Sequence, residues 1–113
     1  MKILIIGGVA AGTKTAAKLK RADRSAEVTV LTKGKDISYA GCGLPYYVGG
    51  LIEERSELIV NTPQSFTELT GVSVATQTEA VAIDREKKQE KHVLYIYNLL
   101  IEILMGNKII MFY

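Results

Sequence analysis

The segment ISYAGCGLPYY, residues 37–47, carries Cys42, the only cysteine of the chain. Glycine stands on either side of it, so the sulfur is uncrowded and a flat ring or a second sulfur could approach. The residues that follow, GLPYYVGGLI, are compatible with a short helix, and Pro45 is tolerated in a first turn. A cysteine at a helix start faces N–H groups without intrahelical partners and the positive end of the helix dipole, both of which stabilise a thiolate. Redox or thiol-exchange chemistry is one reading of this arrangement. The other is a buried spacer, because free cysteine behaves as a small hydrophobe.

A second group of residues could hold a phosphate. The stretch GGVAAG, residues 7–12, follows directly on the apolar run KILII. In the dinucleotide fingerprint G-x-G-x-x-G the first glycine makes a tight turn, the second lets the backbone approach a pyrophosphate, and the third permits close helix–strand contact. Gly7 and Gly12 fit, whereas Val9 occupies the middle position with Gly8 beside it. A Cβ there narrows the approach without closing it, since phosphate binds mainly to N–H groups at a helix start. The candidate cradle is therefore Gly7, Gly8, Val9, Ala10, Ala11 and Gly12, and the alternative is a tight turn without a ligand. The fingerprint also asks for an acid at the end of the second strand to bind ribose hydroxyls. That end reads Leu31-Thr32-Lys33 and has no carboxylate. Thr32 offers a weaker hydroxyl, with Lys33 beside it.

These residues need elements to position them. KILIIGG reads as a strand buried on both faces. From residue 12 to about 22, small residues and leucine lie opposite lysines, as in a helix packed closely on a sheet. Residues 27–31 then read as a second strand, completing a right-handed βαβ unit. Further on, Thr62 is an N-cap, Pro63 the first helical residue and Gly71 a terminator, which predicts a two-turn helix. VSVAT and EAVAID alternate as strands do, and REKKQEK reads as a solvated charged turn.

Composition narrows the class. At 113 residues, 48% hydrophobic and 23% charged, the chain is one domain at most with a modest core. A net charge of +2 without a Lys/Arg block argues against nucleic acid. A lone cysteine excludes an internally stapled secreted fold, and the N-terminal apolar run is too short for a signal sequence. The longest uncharged stretch of the C-terminal part, residues 93–101, is too short to span a bilayer. A cytoplasmic protein without a membrane segment or a metal site is expected.

The combination of KILIIGGVAAG with SYAGCGLPYYVGG resembles the single-cysteine branch of the pyridine nucleotide-disulfide oxidoreductases, over roughly residues 1–88. Its members most like this chain are the coenzyme A-disulfide reductases and the FAD-dependent NADH oxidases. The resemblance implies a Rossmann-like α/β FAD-binding domain, with FAD as cofactor and NAD(P)H as electron donor. Cys42 would be the catalytic redox residue, and Gly7 and Gly12 would match the pyrophosphate turn. Ser38 would match a serine near the thiol pocket. Lys20 and Arg21 would match a basic pair that meets coenzyme A phosphates, although cations also suit a solvated helix C-terminus. The substrate would be coenzyme A disulfide or a related small thiol or oxygen species, and the family's members are homodimers.

Three positions depart from the family. Ala10 stands where peroxidase-type members carry a histidine, Gly41 replaces an asparagine, and Thr32 replaces the ribose-binding glutamate. The largest departure is HVLYIYNLLIEILMGNKIIMFY, residues 92–113, which carries no matching pattern and no hairpin signal. The chain is thus expected to divide into an FAD-binding region, 1–91, and an atypical apolar tail, 92–113. A truncated or frame-shifted product is one expectation for the tail, and an amphipathic helix over 94–105 is another. The alternative function is a non-catalytic FAD- or dinucleotide-binding fragment without NAD(P)H and dimerisation domains.

Overall fold

The computed structural model describes residues 1–84, 89–96, 99–106 and 109–111. Strand β1, Lys2–Ile6, leads through the glycine turn into helix α1, Ala10–Ala22, and the chain returns as β2, Glu27–Leu31. The strands pair in parallel, Ile3 with Val28 and Ile5 with Val30, so the expected βα-β unit is present. Its α1 starts at Ala10, two residues ahead of the expected start.

A long excursion then carries the cysteine segment, with a 3-10 turn over Gly41–Gly43 and helix α2, Leu44–Val48. Helix α3, Pro63–Thr70, begins at Thr62, whose side chain accepts from the Ser65 N–H. It ends at Gly71 in the left-handed region, φ 73°. Both punctuation residues act as the sequence predicts. Strand β3, Ser73–Ala75, then joins β2 in parallel.

The parallel sheet has the order β3-β2-β1-β7, where β7 is Ile109–Met111. Strand order reverses at β1, the geometry that opens a crevice at the carboxyl ends of the strands. Its buried core holds Ile3, Ile5, Val28 and Val30 from the sheet, Ala16 from α1, Phe66 from α3, and Val72. Alanine at position 16, with no exposed surface, lets α1 sit close on the strands.

A second, antiparallel sheet is formed by β4, Thr78–Asp84, β5, Gln89–Ile96, and β6, Leu99–Gly106. This corrects the helix expected over 94–105, because Ile96 pairs with Leu99 and Gln89 with Gly106 in one antiparallel ladder. The nearly continuous apolar run hides any period, and its Val, Ile and Tyr content favours a strand. The charged turn expected over 85–91 does not include 89–91. Its residues 85–88 lie outside the described residues, and Gln89 already belongs to β5.

Candidate functional site

At the carboxyl end of β1 the backbone must turn sharply into α1. Gly7 does this at φ 115°, a conformation that L side chains rarely adopt. Its N–H remains tied to the Leu31 carbonyl at 2.8 Å, so the turn starts in register with the end of β2. A Cβ on Gly12 would stand 1.8 Å from the Gly7 carbonyl oxygen, and only glycine fits there. A Cβ on Gly8 would meet the Thr32 Cβ at 3.0 Å and the Ile37 Cγ2 at 3.1 Å, so the turn lies directly against the residues that follow β2.

Val9 is the N-cap of α1, with an extended backbone and no side-chain hydrogen bond to the helix. Its side chain is exposed, pointing its bulk away from the packed side of the turn. The first intrahelical bond runs from the Thr13 N–H to the Val9 carbonyl at 3.1 Å. The N–H groups of Ala10, Ala11 and Gly12 therefore precede the helical ladder and carry the positive end of the dipole. No acidic side chain stands in this first turn. Such a start suits a pyrophosphate: the N–H groups point outward, the field is positive, and the two glycines allow close backbone approach.

The cysteine segment is fastened to this turn by the backbone. The Ser38 N–H donates to the Gly8 carbonyl at 2.8 Å, and the Ser38 carbonyl accepts from the Val60 N–H at 3.2 Å. Ser38 is buried and adopts φ 52°, a strained backbone for a non-glycine residue. Tyr39 bridges Ile59, and the Ala40 N–H reaches the Leu58 carbonyl at 2.7 Å. Cys42 lies four positions on from Ser38, a reach of at most about 14 Å. Cys42 lies in the 3-10 turn and is exposed, so it is not the buried spacer of the alternative reading.

The two glycines beside the thiol have different tasks. Gly41 has nothing within 4 Å of where its Cβ would be and leaves the approach to the sulfur open. Gly43 is buried, and its Cβ would stand 2.6 Å from Leu58 Cδ2. The expectation that both glycines clear the sulfur is thus corrected for Gly43, whose absent side chain accommodates the core.

The sequence reading missed the ion pair that closes the excursion, Arg55 Nη2 to Asp36 Oδ2 at 2.8 Å. The hydrogen bond to Asp36 and its negative charge raise the Arg55 value further, fixing a cation at the base of the cysteine loop. Nothing in the sequence pairs these residues, because they are 19 positions apart.

Lys20 and Arg21 lie at the other end of α1, about 15 Å along the helix axis from its start at the glycine turn. Lys20 Nζ donates to the carbonyls of Arg24 and Ala26 at 2.9 and 2.7 Å, closing the α1–β2 turn. Arg21 is exposed. Thr32 is half-buried beside Gly8, and Lys33 is exposed with its ammonium 2.9 Å from Glu79 Oε1. The structure therefore brings together residues 7–12, Thr32, Ser38 and the base of the cysteine loop, and sets the Lys20–Arg21 pair apart.

Comparison with known proteins agrees with this geometry. The family "Pyridine nucleotide-disulphide oxidoreductase" matches residues 1–94. A coenzyme A disulfide reductase of Staphylococcus haemolyticus is 39% identical over 74% of this chain and 19% of its own. The structure of reduced CoADR-RHD from Bacillus anthracis superposes with a TM-score of 0.89 at 34% identity, covering 97% of this chain and 20% of that one. An NAD-dependent persulfide reductase from A. fulgidus gives a TM-score of 0.88 at 37% identity, over 98% of this chain and 20% of that one. The chain spans about a fifth of the length of these relatives. The two superpositions run past residue 92, so the backbone course they share with this chain extends into the apolar tail. Among the described residues no helix is long and apolar enough to cross a membrane. By its matching residues and its superposed backbone, the chain belongs to the pyridine nucleotide-disulfide oxidoreductases, a family of FAD-dependent enzymes that take electrons from NAD(P)H.

Proposed function

We propose that this chain is the FAD-binding and thiol-bearing part of an NAD(P)H-dependent reductase of coenzyme A disulfide or a closely related sulfur substrate. The observation that carries the reading is the 2.8 Å bond from the Ser38 N–H to the Gly8 carbonyl, which fastens the cysteine segment to the phosphate-type turn. The pyrophosphate of FAD fits the N–H groups of Ala10, Ala11 and Gly12, where the glycines leave room and no carboxylate opposes it. When bound, FAD supplies the relay of electrons from NAD(P)H to sulfur.

The remaining roles fall to this chain's own side chains and backbone. Cys42 as thiolate attacks one sulfur of the disulfide, forming a new S–S bond as the old one breaks and one thiolate leaves. Two electrons and a proton then free the second thiol and restore Cys42. Ser38 holds the loop by its backbone, and Gly41 keeps the sulfur approachable. Lys20 and Arg21 give a cationic surface for substrate phosphates, with Arg21 the more available because Lys20 already serves two carbonyls. A cytoplasmic homodimer is the setting of this reading.

A second reading is an FAD-binding unit without turnover of its own, which the glycine turn and the outward N–H groups of α1 would support without the thiol. Flavin titration of the purified chain, followed by NADH consumption with coenzyme A disulfide, separates the two. Binding with turnover supports the first and binding without turnover the second. An absence of flavin binding overturns both. In a full-length enzyme carrying this N-terminal sequence, Cys42→Ser retains the flavin and loses disulfide reduction; reduction at the original rate would exclude the thiol role.

A further inference from the structure

Three polar side chains are buried among the described residues, those of Thr13, Ser38 and Thr78. The Thr13 hydroxyl donates to the Val9 carbonyl at 2.8 Å, and the Thr78 hydroxyl to the Thr76 carbonyl at 2.9 Å. The Ser38 hydroxyl, on a residue only 8% exposed, has no hydrogen-bond partner among the described residues. We propose that its missing partner is the ribityl polyol of FAD, the hydroxylated chain that joins the flavin ring to the pyrophosphate. The inference rests on the reading of the glycine turn and Cys42 as the two ends of an FAD site.

The backbone places this hydroxyl. The Ser38 N–H donates to the Gly8 carbonyl at 2.8 Å. A serine Oγ lies within about 4 Å of its own nitrogen, so in any rotamer it stands at most about 7 Å from that carbonyl oxygen. Cys42 follows four positions on in the same excursion. With the pyrophosphate on the N–H groups of Ala10, Ala11 and Gly12 and the flavin ring at the thiol, the polyol runs along residues 38–42. The first part of that strip is fixed, because the Ser38 carbonyl accepts from the Val60 N–H at 3.2 Å and the Ala40 N–H donates to the Leu58 carbonyl at 2.7 Å.

A serine hydroxyl both donates and accepts, as a polyol hydroxyl does. Phosphate is the poorer partner at this point. The Gly8 carbonyl turns its negative end toward Ser38, and the N–H groups that suit an anion are those at the start of α1. The conformation of Ser38 is an independent sign of a ligand role. Its φ of 52° suits glycine, which would also bury no hydroxyl. Strained backbone and unpaired buried groups both cost stability in the free chain, and a bound polyol offsets the second.

The test pairs FAD affinity, read by quenching of flavin fluorescence on the purified chain, with thermal melts. S38A removes the oxygen and leaves the backbone as strained as before. It is expected to weaken FAD binding roughly fivefold to tenfold, the loss of one buried hydrogen bond. S38G also relieves the strain, so it is expected to melt no lower than S38A and to bind FAD as weakly. ADP, which carries the pyrophosphate but no polyol, is expected to protect the parent and S38A against heat to the same degree. Parent FAD affinity in both variants, a loss that S38G does not share, or ADP protection weakened in S38A as much as FAD protection, overturns the proposal. A parent chain that binds no FAD overturns the functional reading on which it rests.

Discussion

Gly12, Gly41 and Gly43 look alike in the sequence, yet they answer to different forces. Gly12 faces a backbone oxygen that cannot move without breaking the turn. Gly12→Ala is therefore expected to destabilise by about 3 kcal/mol, the upper range for overpacking, and to abolish flavin binding. Gly43→Ala meets a leucine methyl, the far end of a flexible side chain, and is expected to cost about 1–2 kcal/mol. Because the cost lies in one contact, Leu58→Val in the same chain should recover part of it, a coupling that a double-mutant cycle would measure. Gly41→Ala meets nothing and should change stability by less than about 0.5 kcal/mol. Chemical denaturation of the four variants checks the ranking; a Gly41 variant as damaged as the Gly43 variant would contradict it. Neighbours distant in sequence set these differences, and the sequence around Cys42 does not reveal them.

Among the elements, α1 is where local signals and tertiary contacts agree most closely. Its small inward residues let Ala16 reach the sheet, and its C-terminal end carries Lys20 and Arg21, where cations suit the dipole. Lys20 goes further and folds back onto the carbonyls of Arg24 and Ala26. At the same turn the Asp23 carboxylate accepts from the Ser25 hydroxyl at 2.6 Å and from the Ser25 N–H at 2.9 Å. Those bonds, the hydroxyl's first, hold Asp23 below the usual carboxylate value. Its folded value is the lower one, so its contribution is present above the unfolded value of about 3.9 and is lost as the pH falls below it. Asp23→Asn should thus lower stability at neutral pH and flatten the profile as the pH falls from neutral to below about 4, where the two proteins converge. Thermal melts of both proteins across that range check this, and parallel profiles would contradict it. The turn lies far from the glycine cradle, so the effect should appear in stability and leave flavin affinity unaltered.

Considered as a whole, the molecule exposes an apolar surface around and beyond the thiol. Leu44, Tyr46, Tyr47, Val48 and Leu51 are all exposed, Val48 at 84% and Leu51 at 79%. Contiguous apolar surface of this kind drives association. The purified chain is expected to self-associate with rising concentration, and Val48→Ser with Leu51→Ser to reduce this without loss of the fold. Light scattering and circular dichroism of both proteins check it; association unchanged in the double variant would place the sticky surface elsewhere. The same patch adjoins Cys42, so it also shapes the approach of a substrate to the sulfur.

By itself the sequence determined the βαβ start, the glycine turn, the capped helix α3 and the candidate thiol, because each is set by residues within a few positions of one another. Local sterics and hydrogen bonding decide such features, and Gly7, Thr62, Pro63 and Gly71 announce them. Only the tertiary structure decided that Gln89–Ile96 and Leu99–Gly106 are paired strands, since a nearly unbroken apolar run has no readable period. Only the tertiary structure brought Ser38 to Gly8, Arg55 to Asp36, Leu58 against Gly43 and Glu79 to the end of β2. Each of those contacts joins residues far apart in the chain, and their partners are chosen by the path of the backbone through the sheet.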